Sequence, residues 1–218
     1  MDPQVQRSRA PSEVEPSSRN VVFVVDDDPA VREGLNNLLS SADMHVRVFS
    51  NADEFLRSPR IDSPACLVLD VHLPRLDGLE LQNQLAARGD LLPIIFLSGV
   101  GDIPMTVRAM RAGAIGFFTK PFQPVELLTA VRGALGQARE ARGRLSELHE
   151  LRRRYETLTP RERAVMAEVT AGKLNKQIAY DFGTKEFTVK EQRRKMMDKM
   201  QVSSVAELVK VAVRLKSP

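Results

Sequence analysis

Residues 21–35 read VVFVVDDDPAVREGL, and this stretch decides the fold of the first half of the chain. Five apolar residues in a row, all β-branched except Phe23, form a strand with no polar alternation, so both of its faces must be covered. The strand stops at Asp26, Asp27 and Asp28. Asp28 followed by Pro29 marks a helix start, with a carboxylate as N-cap and the proline ring at the first helical position. Val31, Leu35, Leu38 and Leu39 then recur at helical spacing.

The same alternation recurs further along. Val46 and Val48 give a short strand, followed by a helix around Ala52 to Leu56. Cys66 to Leu69 is again continuously apolar, with Leu81 and Leu85 on the next helix. Ile94 to Leu97 precedes a helix with Ile103, Val107 and Met110 on its apolar face, and Ile115 to Phe118 precedes Leu128, Val131 and Leu135. Buried strands separated by amphipathic helices predict an α/β domain, a doubly wound five-stranded parallel sheet over residues 20–136. Right-handed crossovers favour the flavodoxin-like order 2-1-3-4-5.

Residues 1–19 are rich in Pro, Ser and Arg and read as a disordered tail. Residues 137–157 are dominated by Arg, Glu and Leu, with Leu145, Leu148, Leu151 and Tyr155 on one helical stripe. They read as a helical linker, whose pairing with a second copy is left open by so short a stripe. From 158 to 218 the chain is all-α. Thr159-Pro160-Arg161-Glu162 is a capping box opening a helix that ends at Gly172. Helices at Asn175 to Phe182 and Glu186 to Met200 flank Gly183, and another runs from Ser204 to about Lys216. Short helices with a glycine turn between the middle pair read as helix-turn-helix.

Composition narrows the function classes. No apolar run approaches the ~20 residues of a membrane span, and the N-terminus lacks a secretory plan, so the expected location is the cytoplasm. A single cysteine, Cys66, cannot form an intrachain disulfide, and three histidines without ligand spacing argue against zinc. Residues 20–122 hold nine Lys/Arg against thirteen Asp/Glu, whereas residues 159–218 hold thirteen against seven. An acidic front and a basic rear suggest different partners, nucleic acid for the rear.

In open α/β sheets, ligands bind beyond the carboxyl ends of the strands. Those ends carry Asp26-Asp27-Asp28, Asp70, Ser98 and Lys120. With Asp28 committed to capping, Asp26 and Asp27 crowd Asp70. Such carboxylates repel unless a cation is present, and an oxygen-only set suits Mg²⁺. A carboxylate beside Mg²⁺ can act as nucleophile toward a phosphoryl group, with Lys120 balancing charge and the Ser98 hydroxyl bonding a phosphoryl oxygen. The inward turn of the lysine predicts a cis Lys120–Pro121 peptide.

Together VVFVVDDDPAVREGL, LVLDVHLPRLDGLEL (67–81) and IIFLSGVGDIPMTVRAMRAGAIGFFTKPF (94–122) resemble the response-regulator receiver domain. The resemblance implies that Asp70 is the phosphoacceptor and Asp26 and Asp27 the acid pair. It implies Mg²⁺ ligation by Asp27, Asp70, a water on Asp26 and the main-chain carbonyl of His72. Ser98 and Phe117 become the switch pair. Ser98 stands where threonine is frequent, and the His72 side chain is unusual two residues after the acceptor.

Residues 158–212 resemble the LuxR-type helix-turn-helix, and the whole resembles FixJ-type regulators. The implied partners are a sensor histidine kinase, promoter DNA and RNA polymerase, with homodimerisation on phosphorylation and no enzymatic turnover. On the helix from Glu186, Val189, Met196 and Met200 share one face, while Lys190, Arg193 and Arg194 fall mostly elsewhere. An apolar back and a basic front suit a recognition helix. Lys176 and Lys185 are placed for phosphates, Gln192 for adenine, and Glu191 for cytosine or for opposing phosphate. Glu191-Gln192 departs from the family's commoner uncharged residue followed by His. The last helix's stripe of Val205, Leu208, Ala212 and Leu215 suits either dimerisation or closure of the core. Two rival readings are a protein- or RNA-binding output and a haloacid-dehalogenase-like phosphatase. Against the phosphatase stand Ala30 two residues past Asp28 and the lack of a second acidic pair after Lys120.

Overall fold

The computed structural model describes residues 20–59, 61–99 and 103–216. The tail expected at 1–19 lies outside the described residues. The chain divides into two compact units between Ala141 and Arg142.

The first unit alternates β1 (Val21–Val25), α1 (Pro29–Ser40), β2 (His45–Phe49), α2 (Ala52–Arg57), β3 (Ala65–Asp70), α3 (Gly78–Ala87), β4 (Ile94–Ser98), α4 (Ile103–Arg111) and β5 (Gly116–Thr119), followed by α5 (Pro124–Glu156). The sheet is parallel with order β2-β1-β3-β4-β5. Strand period two divides its residues between two cores. Val21, Phe23, Val25, Leu67, Leu69 and Phe96 pack on one face, and Val22, Val24, Cys66, Val68, Ile95 and Leu97 on the other. Each fully buried Leu, Ile or Phe contributes about 1.5–3 kcal/mol relative to exposure.

Local chemistry starts the helices as the sequence dictates. Asp28 caps α1, accepting from the Ala30 amide at 2.8 Å and the Val31 amide at 3.4 Å. Asp77 caps α3 through the Leu79 amide at 2.8 Å. Gly78 follows because a Cβ there would stand 2.4 Å from the Asp70 carbonyl oxygen.

One expectation is corrected. The α4 stripe faces outward: Ile103, Val107 and Met110 are exposed, while Ala109 is buried and its carbonyl accepts from Gln82 of α3 at 3.3 Å. A small residue lets α4 approach α3 closely, and the larger apolar residues are left on the far side. Residues 137–156, read as a helical linker, are helical and continue the fifth helix. Helix α5 runs unbroken from Pro124 to Glu156, through Gly143, because one glycine costs only about 1 kcal/mol in a long helix.

The second unit holds the end of α5, then α6 (Pro160–Thr170), α7 (Asn175–Asp181), α8 (Glu186–Met200) and α9 (Val205–Lys216). Its core gathers Leu158, Val165, Met166, Val169, Ile178, Val189, Met196, Met200 and Leu208. The capping box is formed: the Glu162 amide donates to Thr159 Oγ1 at 3.2 Å, and the Thr159 amide to Glu162 Oε2 at 2.8 Å. Lys199 of α8 reaches the same Glu162 oxygen at 2.7 Å, tying α8 to the start of α6. Gly183 has φ +60° between α7 and α8, the left-handed turn that glycine makes without a Cβ penalty. On α9, Leu208 is buried and Val205, Ala212 and Leu215 pack against the core, so this stripe closes the domain.

Candidate functional site

Sheet register assembles the acidic site. Val25 pairs with Leu69, which sets the next residues, Asp26 and Asp70, side by side. Ser98 pairs with Thr119, so Lys120 follows at the same rim. Asp26, Asp70 and Lys120 continue the alternation of Val24, Val68 and Phe118 and share a face, whereas Ser98 and Phe117 follow Phe96 on the other.

Lys120 Nζ donates to Asp70 Oδ1 at 2.6 Å and to Asp26 Oδ2 at 2.7 Å. The Lys120 amide donates to the Ser98 carbonyl at 2.7 Å, and Lys120–Pro121 is cis. The second Asp70 oxygen accepts the His72 amide at 2.7 Å, and the second Asp26 oxygen the Asp28 amide at 3.0 Å. Arg32 braces the loop by donating to the Asp26 carbonyl at 2.8 Å. Asp26, Asp70 and Ser98 are buried; Asp27 and the His72 side chain are exposed.

Burial pushes the Asp26 carboxyl above the usual carboxylate range, against the opposing pull of Lys120 and the Asp28 amide. Burial alone would lower the Lys120 pKa, but its bonds to Asp26 and Asp70 outweigh that and raise it, so the ammonium stays charged. Two buried carboxylates thus share one cation, which leaves the rim with net negative charge. Hard oxygen donors with a charge deficit fit Mg²⁺, although among the described residues no three ligating side chains are gathered around one point.

Phe117 packs beside Phe96 with ring centroids 6.3 Å apart, half-buried on β5. Sequence reasoning did not find Arg32, whose role depends on how the β1–α1 turn folds back.

On α8, Val189, Met196 and Met200 are buried and Lys190 and Arg194 exposed. Lys176 and Lys185 are exposed as well. Arg193 is half-buried, donating to Asn175 Oδ1 of α7 at 2.9 Å. Lys190, Arg193 and Arg194 line an open groove of about 400 Å³ with Asp198 and Ser203.

Gln192 lies on the same helix, next to Arg193. It is half-buried and its Oε1 is buried without a hydrogen-bond partner. The outward arc instead carries Phe187, Lys190, Glu191, Arg194 and Asp198, spaced i, i+3, i+4, i+7, i+11. Phe187 is 78% exposed and was missed because an isolated aromatic at a helix start reads as core.

Comparison with known proteins agrees with both parts. Residues 22–132 match the response regulator receiver domain, and residues 156–212 match bacterial regulatory proteins of the luxR family. Response regulator protein TodT of Pseudomonas putida is 46% identical over 197 residues, covering 90% of this chain and 87% of its own length. Transcriptional regulatory protein FixJ of Bradyrhizobium diazoefficiens is 38% identical over 198 residues, covering 91% and 97%. The structure of response regulator StyR superposes with a TM-score of 0.83 at 45% identity, covering 90% of this chain and 99% of that one. Full-length FixJ from B. japonicum gives 0.56 at 38%, covering 91% and 98%. With both units matched and relatives spanning nine-tenths of its length, the chain belongs to the response regulators, as a FixJ-type transcription regulator with a receiver domain and a LuxR-type helix-turn-helix.

Proposed function

We propose that Asp70 takes a phosphoryl group from a sensor histidine kinase and that the helix-turn-helix then engages promoter DNA. The observation that carries this is the Lys120 bridge, which holds two buried carboxylates at one strand rim with the nucleophile's partner charge in place. An Asp70 oxygen attacks phosphorus; the O–P bond forms as the N–P bond of phosphohistidine breaks, and the departing imidazole takes up one proton. Lys120 offsets the added charge and the buried Ser98 hydroxyl supplies a donor at the neighbouring strand end. Mg²⁺ held by Asp27, Asp70, Asp26 through water, and the His72 carbonyl would supply further charge neutralisation.

The test is incubation with radiolabelled acetyl phosphate and Mg²⁺. Wild type takes label and Asp70→Asn does not. Equal labelling refutes Asp70, and loss only in Asp26→Asn moves the nucleophile to β1, as in the rival phosphatase.

For the output, Lys176, Lys185 and Lys190 contact phosphates. Removing one true phosphate contact lowers the slope of log affinity against log salt by about 0.9. Tighter binding of RNA than of duplex DNA would favour the RNA-binding output. The outward Ile103, Val107 and Met110 of α4 give the phosphorylated receiver an apolar surface on which to pair. Sedimentation of phosphorylated and unphosphorylated protein reads that pairing. Promoter binding brings the regulator to RNA polymerase, and its place of action is the cytoplasm. Among the described residues no helix is long and apolar enough to cross a membrane.

A further inference from the structure

The outward arc of α8 carries an arginine gripped from two sides. Arg194 Nε donates to Glu191 Oε2 at 3.2 Å and Nη2 to Glu191 Oε1 at 2.9 Å. Its Nη1 donates to Asp198 Oδ2 at 3.1 Å. A guanidinium has five N–H donors, so three are taken and one remains on each Nη.

We infer that Glu191 and Asp198 hold Arg194 as a pre-aimed reader of a guanine edge, with Glu191 as its positioning residue. This rests on reading α8 as the recognition helix.

The two free donors match the paired acceptors O6 and N7 of guanine in the major groove. Adenine and cytosine each present an amino donor there, which a guanidinium cannot accept. Thymine offers one acceptor. A phosphate oxygen pair is the other acceptor of this shape, and charge argues against it. Arg194, Glu191 and Asp198 together carry −1, and two carboxylates beside the guanidinium repel the backbone while tolerating a neutral base. Lys195, 3.5 Å from Glu191 Oε1, brings the group only to neutrality.

Holding matters because a free arginine loses rotamer freedom when it docks. A guanidinium already fixed loses less, so more of the contact appears as discrimination between bases. The same acids weaken attraction to arbitrary DNA. Glu191 therefore serves specificity twice, by aiming the arginine and by opposing unspecific contact.

The experiment uses the full-length phosphorylated protein. Bound duplexes are selected from a random pool, and each guanine of the selected site is replaced singly by 7-deazaguanine, which removes N7. Wild type should lose about tenfold in affinity at one position per half-site. Arg194→Ala should lose that sensitivity. Glu191→Ala should bind a scrambled duplex more tightly yet discriminate the target less, and Glu191→Gln, which keeps one acceptor oxygen, should recover part of the discrimination. Circular dichroism checks that each variant folds.

Guanine sensitivity persisting in Arg194→Ala overturns the assignment. So does a Glu191→Ala variant that tightens both duplexes equally, since the acid would then only repel. Should Arg194→Ala lower the salt slope by about 0.9 with no guanine dependence in wild type, Arg194 is a phosphate contact. Selection of no duplex by wild type overturns the recognition-helix reading, and this inference with it.

Discussion

Lys120 Nζ lies 2.6 Å from Asp70 Oδ1 although 50 residues separate them along the chain. It also lies 2.7 Å from Asp26, 94 residues away. One ammonium therefore ties together the ends of β1, β3 and β5, and the stability of this rim is bound to its chemistry.

Removing that ammonium leaves two buried carboxylates uncompensated. Without divalent cation, Lys120→Met should cost about 3 kcal/mol in urea unfolding at neutral pH. Burial already holds the Asp26 carboxyl above its ordinary value, and without Lys120 the main opposing pull is gone, so ionised Asp26 destabilises the native state and stability should recover as pH falls. Adding Asp26→Asn should restore part of the loss. Strict additivity of the two changes would contradict the coupling.

Gly78 is fixed by a close approach. A Cβ would stand 2.4 Å from the Asp70 carbonyl oxygen and 3.1 Å from Val71 Cα, both of them backbone. Gly78→Ala should destabilise the receiver by about 1–3 kcal/mol and slow acetyl phosphate labelling, because the strain falls on Asp70 itself. Unchanged melting and labelling would mean that α3 shifts at no cost.

Glu162 gives the helical unit an acid limit. Burial alone would raise its pKa, but the bonds from Lys199 and from Thr159 outweigh it and hold the carboxyl below the usual range. Its contribution is therefore full above the ordinary glutamate value of about 4.5 and lost as pH falls through the lower folded value. Glu162→Gln should cost about 1–2 kcal/mol at pH 7 and flatten the acid side of the stability profile. Thermal unfolding monitored between pH 7 and pH 3 reads both.

Phe187 spends its apolar surface in solvent, on the arc that carries Lys190 and Arg194. The apolar group of the major groove is the thymine methyl. Phe187→Ala should leave folding stability within about 0.5 kcal/mol, as for an exposed position. It should weaken target binding about fourfold, the loss of one buried methyl contact. Deoxyuridine in place of thymidine should weaken wild type similarly and leave Phe187→Ala unaffected; equal losses in both would rule out the contact.

Much of this molecule was legible residue by residue. Continuous apolar strands ending in Asp26, Asp70 and Ser98 announced a covered parallel sheet, and Asp28-Pro29 and Thr159–Glu162 announced helix starts, since those signals act within one turn of chain. What the sequence could not decide was which way ambiguous surfaces face. The apolar stripe of α4 was read inward, yet α4 packs through Ala109, so Ile103, Val107 and Met110 point out.

The sequence by itself determined the fold class, the acidic rim and the helix-turn-helix, because hydrophobic period and capping chemistry are local properties of the chain. Only the tertiary structure decided that Lys120 joins Asp26 to Asp70, that Gln192 turns its oxygen inward, and that Glu191 and Asp198 grip Arg194. A side chain's partner depends on packing between distant segments and on rotamers fixed by their neighbours, and neither is written in the spacing of residues along one segment.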